Sequence, residues 1–361
     1  MGRRHRIALV ATVTAVLIGL GGAALAAVGQ SRTEGTKYDR GETLVQEGPT
    51  TYMFFARSQA DCNRLAGCNP DNQHYDMYVK TSPDGGKTFG PATLVATNPG
   101  DSGFFGRTLA ATVTSTGINV FWASGGSQNQ LYVVKETAPG AFSPATPVMS
   151  AALTDLSDVF NVEAVTLGGQ TYLYTEEMEA PGYGIYARTY DGATAGGPNV
   201  VALNKNIPKA IVDRNGGVKM TFVDATAYPT VALYVDSSAD GLVWPGPQLV
   251  QAIPGESDWD PNLVQKPNGQ YYLFFAPDRQ EGAGRQQVAL RKSNDFVSWT
   301  APHDLTPGYS GGVEYWDYWP EGFVYKNQVK LFYTSERGTG STPPGTGHIW
   351  SDPGQDGGDI D

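Results

Sequence analysis

Carboxylates set among aromatic rings are the residues of this chain best placed to do chemistry. Glu321 closes the stretch Val313-Glu314-Tyr315-Trp316-Asp317-Tyr318-Trp319-Pro320-Glu321, and Asp260 follows Trp259 in Ser257-Asp258-Trp259-Asp260-Pro261-Asn262. Glu163 ends a third such stretch, Asp158-Val159-Phe160-Asn161-Val162-Glu163. Aromatic faces stack on the apolar C–H faces of sugar rings, while carboxylates bind hydroxyls or carry protons. Two carboxyl groups flanking a glycosidic bond can hydrolyse it, about 5 Å apart for retention and about 6.5–9.5 Å for inversion. A carboxyl among aromatic rings also has its pKa raised, as a proton donor near neutral pH requires. Glu321, Glu163 and Asp260 are therefore the catalytic candidates. Trp259, Trp316, Trp319, Tyr315, Phe105, Arg107 and Asp39 are the candidates for holding a substrate. The plainer reading is that the rings pack between elements and the acids solvate a rim.

Those stretches lead into a repeated unit. Aromatic-rich runs of strand length recur at Tyr52–Phe55, Val120–Trp122, Tyr172–Tyr174, Met220–Val223, Tyr271–Phe275 and Val329–Tyr333. A following set sits at Met77–Val79, Leu131–Val133, Ile185–Ala187, Leu233–Val235, Ala289–Arg291 and Ile349–Trp350. Outer strands are expected at Thr93–Val95, Pro147–Met149, Asn199–Val201 and Gln248–Val250. About four short strands per period near 50 residues is the signature of a β-propeller. The expected fold is all-β and six-bladed, with a five-bladed ring as the alternative. The sixth unit lacks an outer strand, which residues Thr33–Tyr38 would supply to close the ring. Aligning the first strand of each unit on the turn that ends it places Glu163 and Glu321 in one register, three blades apart and facing across the axis.

The chain as a whole fits that architecture. It has 361 residues with Gly 45, Pro 24, Tyr 19 and 17% charged residues, the composition of a turn-rich all-β domain. The net charge of −11 argues against nucleic acid and anionic membrane as partners and leaves neutral sugars open. Residues 1–30 read as a cleavable signal peptide, with a basic start at Arg3-Arg4-His5-Arg6, an apolar run and Ala24-Leu25-Ala26 as the cleavage site. The expectation is a secreted monomer with a propeller over 31–352 and a disordered acidic tail over 353–361. Export would allow Cys62 and Cys68, the only cysteines, to form a disulfide across a short loop. His74, His303 and His348 show no metal-ligand spacing. No metal or other cofactor is called for, and a structural Ca²⁺ is left open.

The octapeptide Ser82-Pro83-Asp84-Gly85-Gly86-Lys87-Thr88-Phe89 is a turn by its chemistry. Asp84 can accept from the backbone ahead of it, the glycines supply positive φ, and Phe89 can plug the space beneath. Degenerate copies stand at Ser238–Trp244 and Ser293–Trp299. This pattern resembles the Asp-box, or BNR repeat, of the sialidase-like propeller superfamily. Sialidases carry an Arg triad and a Tyr/Glu nucleophile pair, for which Arg107 and Tyr315 or Tyr318 are the nearest candidates, but their Phe-Arg-Ile-Pro motif is absent. Trp319–Asn327 and Trp259–Asn262 resemble stretches of arabinanase- and xylosidase-type propeller glycosidases, and that likeness implies a general-acid role for Glu321. The functional expectation is a secreted glycoside hydrolase, with an arabinose-containing polysaccharide as one candidate substrate. The alternatives are a lectin-like binding propeller, a sialidase or a polysaccharide lyase.

Overall fold

The structure is a computed structural model describing residues 30–33, 37–60, 74–97, 109–124, 130–150, 159–179, 181–224, 226, 230–250, 257–278, 287–306, 309–310, 313–338 and 347–351. These residues form six sheets arranged in a ring, antiparallel except where Met149–Ser150 pairs in parallel with Thr194–Ala195, a six-bladed β-propeller without helices among the described residues. The five-bladed alternative falls. The axial strands of blades 1 to 6 are Asp39–Glu47, Ala110–Thr114, Val159–Leu167, Asn206–Val212, Ser257–Gln265 and Val313–Tyr325. Beside them run Thr50–Ser58, Gly117–Ala123, Gln170–Glu179, Val218–Asp224, Tyr271–Asp278 and Gln328–Gly338, where the aromatic runs were expected. These second strands are covered on both faces by neighbouring blades, so consecutive residues such as Met53, Phe54 and Phe55 are all fully buried. A strand buried on both faces has no polar side to alternate with.

Tight two-residue hairpins end the axial strands of blades 3 and 6. Gly168-Gly169 and Lys326-Asn327 take positive φ at both central positions, at 60° and 86° and at 48° and 70°. That is the two-residue turn whose twist matches the strands it joins.

At the rim, the three Asp-centred turns fasten each blade to the one before it. Phe89 of blade 1 meets Phe332 of blade 6 edge-on at 6.0 Å, and Trp244 of blade 4 meets Tyr174 of blade 3 at 5.5 Å. Phe296 in the blade 5 turn lies under the Lys219 ammonium of blade 4. Gly85 and Gly86 are required where blade 1 closes on blade 6. A Cβ there would stand 2.2 Å from the Tyr325 ring and 2.6 Å from Phe332 Cζ.

Ring closure differs in detail from expectation. The outer strand of blade 6 is Gln30–Ser31, pairing with Ser351 and Trp350, rather than a segment within 33–38. Thr33 follows it and accepts the Ile349 amide at 3.0 Å. The expected leader apart from Gln30, the Cys62–Cys68 pair and the tail lie outside the described residues.

Candidate functional site

One backbone device sets the axial layer. In blade 1 Arg40 pairs with Ala56 and Thr43 with Phe54, so the axial strand advances one residue more than its partner. The same bulge lies between Asn206 and Lys209, between Trp259 and Asn262, and between Tyr318 and Glu321. Each of these four bulges holds a left-handed residue: Gly41 (φ 60°), Ile207 (φ 53°), Asp260 (φ 49°) and Trp319 (φ 50°). Two positions on stand Thr43, Lys209, Asn262 and Glu321. In blade 3 the bulge falls at Phe160, and Glu163 follows three positions later. A bulge re-aims the side chains beside it, and here the re-aimed residues meet at the axis. Blade 2 has no such bulge and offers Ala111, which leaves room.

Thr43, Ala111, Glu163, Lys209, Asn262 and Glu321 all line a cavity of about 450 Å³ that extends along the axial strands toward the Asp213-Arg214 and Lys266-Pro267 turns. That volume lies in the range of small-molecule sites, about 300–1,000 Å³. Lys209 Nζ stands 3.2 Å from Glu163 Oε2 and 3.9 Å from Glu321 Oε2. The two carboxylate oxygens are therefore no more than roughly 7 Å apart. Asn262 Nδ2 donates to Glu321 Oε2 at 2.5 Å, and Asn262 Oδ1 accepts the Gly322 amide at 2.9 Å, which fixes the amide's orientation. The Leu44 amide donates to Glu321 Oε1 at 3.4 Å. Behind this layer lies Glu42, buried and accepting from the Thr334 hydroxyl at 3.1 Å.

Three glutamates thus surround one lysine. Burial pushes Glu42 up to about 8, and the charge of Glu321 adds to the shift. Burial pushes Glu321 up to about 7, opposed by Lys209 and reinforced by Glu163. Burial also raises Glu163, with the Lys209 ammonium pulling against it. Burial alone would lower Lys209, but Glu163, Glu321 and Glu42 outweigh it and hold the ammonium above its usual range. At neutral pH Glu321 is therefore close to half-protonated and Glu42 is protonated, while the Lys209 ammonium favours the charged form of Glu163.

The other expected site residues are placed differently. Asp260 occupies the bulge position two residues before Asn262, is half-buried and is not among the cavity-lining residues. Trp259 is half-buried and packs against the core between blades 4 and 5. Trp319 is half-buried, with Tyr318 edge-on at 4.6 Å and the Arg40 guanidinium 5.5 Å from its ring centre. Asp39 is fully buried in a two-pronged pair with Arg57, at 2.6 and 2.8 Å. Burial is the main influence on that carboxyl and raises its pKa despite the pair. Phe105 and Arg107 lie outside the described residues, as do the side chains of Tyr315 and Trp316. Sequence reasoning missed Lys209, Asn262 and Glu42. For Lys209 a signal existed: it is the charged residue in the apolar run Ile207-Pro208-Lys209-Ala210-Ile211.

No protein-family model and no curated protein matches this sequence. Solved structures do match in fold. A protein of unknown function from Dyadobacter fermentans superposes with a TM-score of 0.66 at 14% identity, over 90% of this chain and 96% of that one. A variant of the NanB sialidase from Streptococcus pneumoniae gives 0.61 at 8% identity, over 89% of this chain and 69% of that one. An ulvan lyase, described as a new family of polysaccharide lyase, gives 0.54 at 10% identity, over 88% and 84%. At these identities the likeness is one of fold.

Proposed function

We propose that the chain is a secreted glycoside hydrolase acting at the propeller axis. The observation that carries this reading is the meeting of Glu163 and Glu321 on Lys209 in a cavity of about 450 Å³. Their spacing, no more than roughly 7 Å, fits the range in which paired carboxyls act on a glycosidic bond. The environments push the two groups toward different roles, as acid and base assignments require. Glu321, raised to about 7, is the proton donor to the departing glycosidic oxygen. Glu163, 3.2 Å from the Lys209 ammonium that favours its charged form, either accepts a proton from the attacking water or bonds to the anomeric carbon. That sialidase and polysaccharide lyase both occur among propellers of this fold lends support to a glycan as substrate.

The test is reducing-sugar release by the folded domain across a polysaccharide panel, arabinan included, with Glu321→Gln alongside. Release that falls about 10²–10⁴-fold in the variant supports the assignment, and near-normal turnover sinks it.

Lys209 also motivates a second reading, a lectin-like module. An ammonium shared by both carboxylates leaves them suited to accepting sugar hydroxyls without turnover. Saturable binding of one glycan with no release of reducing ends would favour it.

A further inference from the structure

Phe160 is the bulged residue of its axial strand, and its ring is 39% exposed. It meets Tyr183 at 6.2 Å between ring centres, 66° between planes. Beside them Met178, register partner of Tyr183, is 58% exposed. A large exposed ring on an axial strand is unusual where apolar side chains have a core to enter.

The two rings are also held in place. Buried Glu176 accepts the Tyr183 hydroxyl on Oε1, and on Oε2 it accepts Asn161 Nδ2 and, at 2.9 Å, the Ile207 amide of the next blade. That carboxylate fixes the Tyr183 ring and the strand that presents Phe160. An aromatic pair fixed before binding loses little freedom when a ring stacks on it. Phe160 lies three residues ahead of Glu163 on one extended strand, so roughly 10 Å separates them along the axis. That is farther than one sugar ring reaches, and Phe160 lies on the side of the carboxylate layer opposite the Asp213-Arg214 and Lys266-Pro267 turns that bound the cavity.

We propose that Phe160 and Tyr183 form an outer subsite that stacks an uncharged sugar ring of the glycan chain whose scissile bond lies at Glu163 and Glu321. The proposal rests on the carbohydrate reading above. It makes the protein a reader of chains rather than of single sugars or disaccharides.

Affinity electrophoresis in gels cast with arabinan, xylan or pectin tests it in the Glu321→Gln background, where turnover is suppressed. Isothermal titration with the disaccharide and hexasaccharide of the retained polymer completes the measurement. Phe160→Ala should weaken binding of polymer and hexasaccharide about three- to tenfold, leave the disaccharide unchanged and leave the melting temperature near that of the parent. Tyr183→Phe keeps the ring but cuts its tether to Glu176, and should give a smaller loss in the same direction. Retention of a polymer that Phe160→Ala leaves untouched overturns the outer subsite alone. Failure of the parent to bind any polymer overturns the carbohydrate reading and the subsite with it.

Discussion

At the rim, Asp84, Asp240 and Asp295 each sit two residues after a serine that donates to them, at 2.7, 3.0 and 3.0 Å. Each then accepts amides ahead of it, from Thr88, from Leu242 and Val243, and from Val297 and Ser298. At the axis, four blades repeat a bulge with one left-handed residue, yet present Thr43, Lys209, Asn262 and Glu321. Both regions use a repeated backbone device. The rim repeats its side chains as well, because the aspartate is part of the device. The axis does not, because the bulge is made by the backbone and the side chain it aims is free to differ. Repetition of side chains therefore marks what holds the ring together, and divergence within a repeated backbone marks where a specific site is built.

The contrast breaks most readily on activity. Glu321→Gln should cut turnover about 10²–10⁴-fold with the fold retained. Asp295→Ala should leave turnover near normal and lower only stability, since it removes turn hydrogen bonds at the surface. Equal losses of turnover in the two variants would erase the distinction between the regions.

Next in size is the axial cation. Lys209→Met leaves Glu163, Glu321 and Glu42 without the ammonium that faces them. An uncompensated buried charge costs about 3–5 kcal/mol, so urea denaturation at pH 8 should show a loss of that order. At pH 5 the three carboxyls can all take protons, and the loss should be much smaller. An equal loss at both pH values would mean that Lys209 stabilises by packing alone.

Glu42 sharpens the same point with the opposite sign. Its folded value near 8 and that of Glu321 near 7 both lie above the ordinary 4.5. The folded state then binds more protons than the unfolded one between those limits. Stability contributed by these groups is full below about pH 4.5 and is lost as pH rises toward 8. Glu42→Gln keeps an acceptor for Thr334 but cannot ionise. It should be more stable than the parent by ~5 kcal/mol at pH 9 and nearly equal to it at pH 4. Thermal unfolding at the two pH values reads the difference directly.

How much of this was legible follows from the same contrast. The blades were legible because second strands such as Tyr271–Phe275 are buried on both faces and read as continuous aromatic runs. The pairing of Glu163 with Glu321 was legible because both lie the same number of residue pairs from two-residue turns. Lys209 and Asn262 were not, because the turns that end their strands are longer than two residues and the count back from the turn no longer reaches the axial level. Counting from the turns sets Asp260 three positions from the level of Glu321, whereas the matching bulges put Asn262, two residues after Asp260, at that level. Trp259 carried a misleading signal: beside acids it reads as a sugar platform, but its ring packs against the core between blades.

The smallest expected effect tests the rim on its own terms. Gly241 has φ 80°, and the same place in the third turn is taken by Phe296 at φ 64°. Each amide donates to the turn's serine, at 2.9 Å in both cases. A side chain is therefore possible at this position when something repays the left-handed backbone. Phe296 is buried, 4.9 Å from Tyr271 and 5.7 Å from Trp299 between ring centres. Gly241 has no such return available, because a Cβ there would meet the Tyr172 ring at 3.0 Å and the Tyr174 hydroxyl at 3.1 Å. Gly241→Ala should cost about 1–2 kcal/mol from backbone strain and crowding, with turnover unchanged. A loss of turnover beyond what that destabilisation explains would show that the rim turn acts on the axis, and the two regions would no longer be separable.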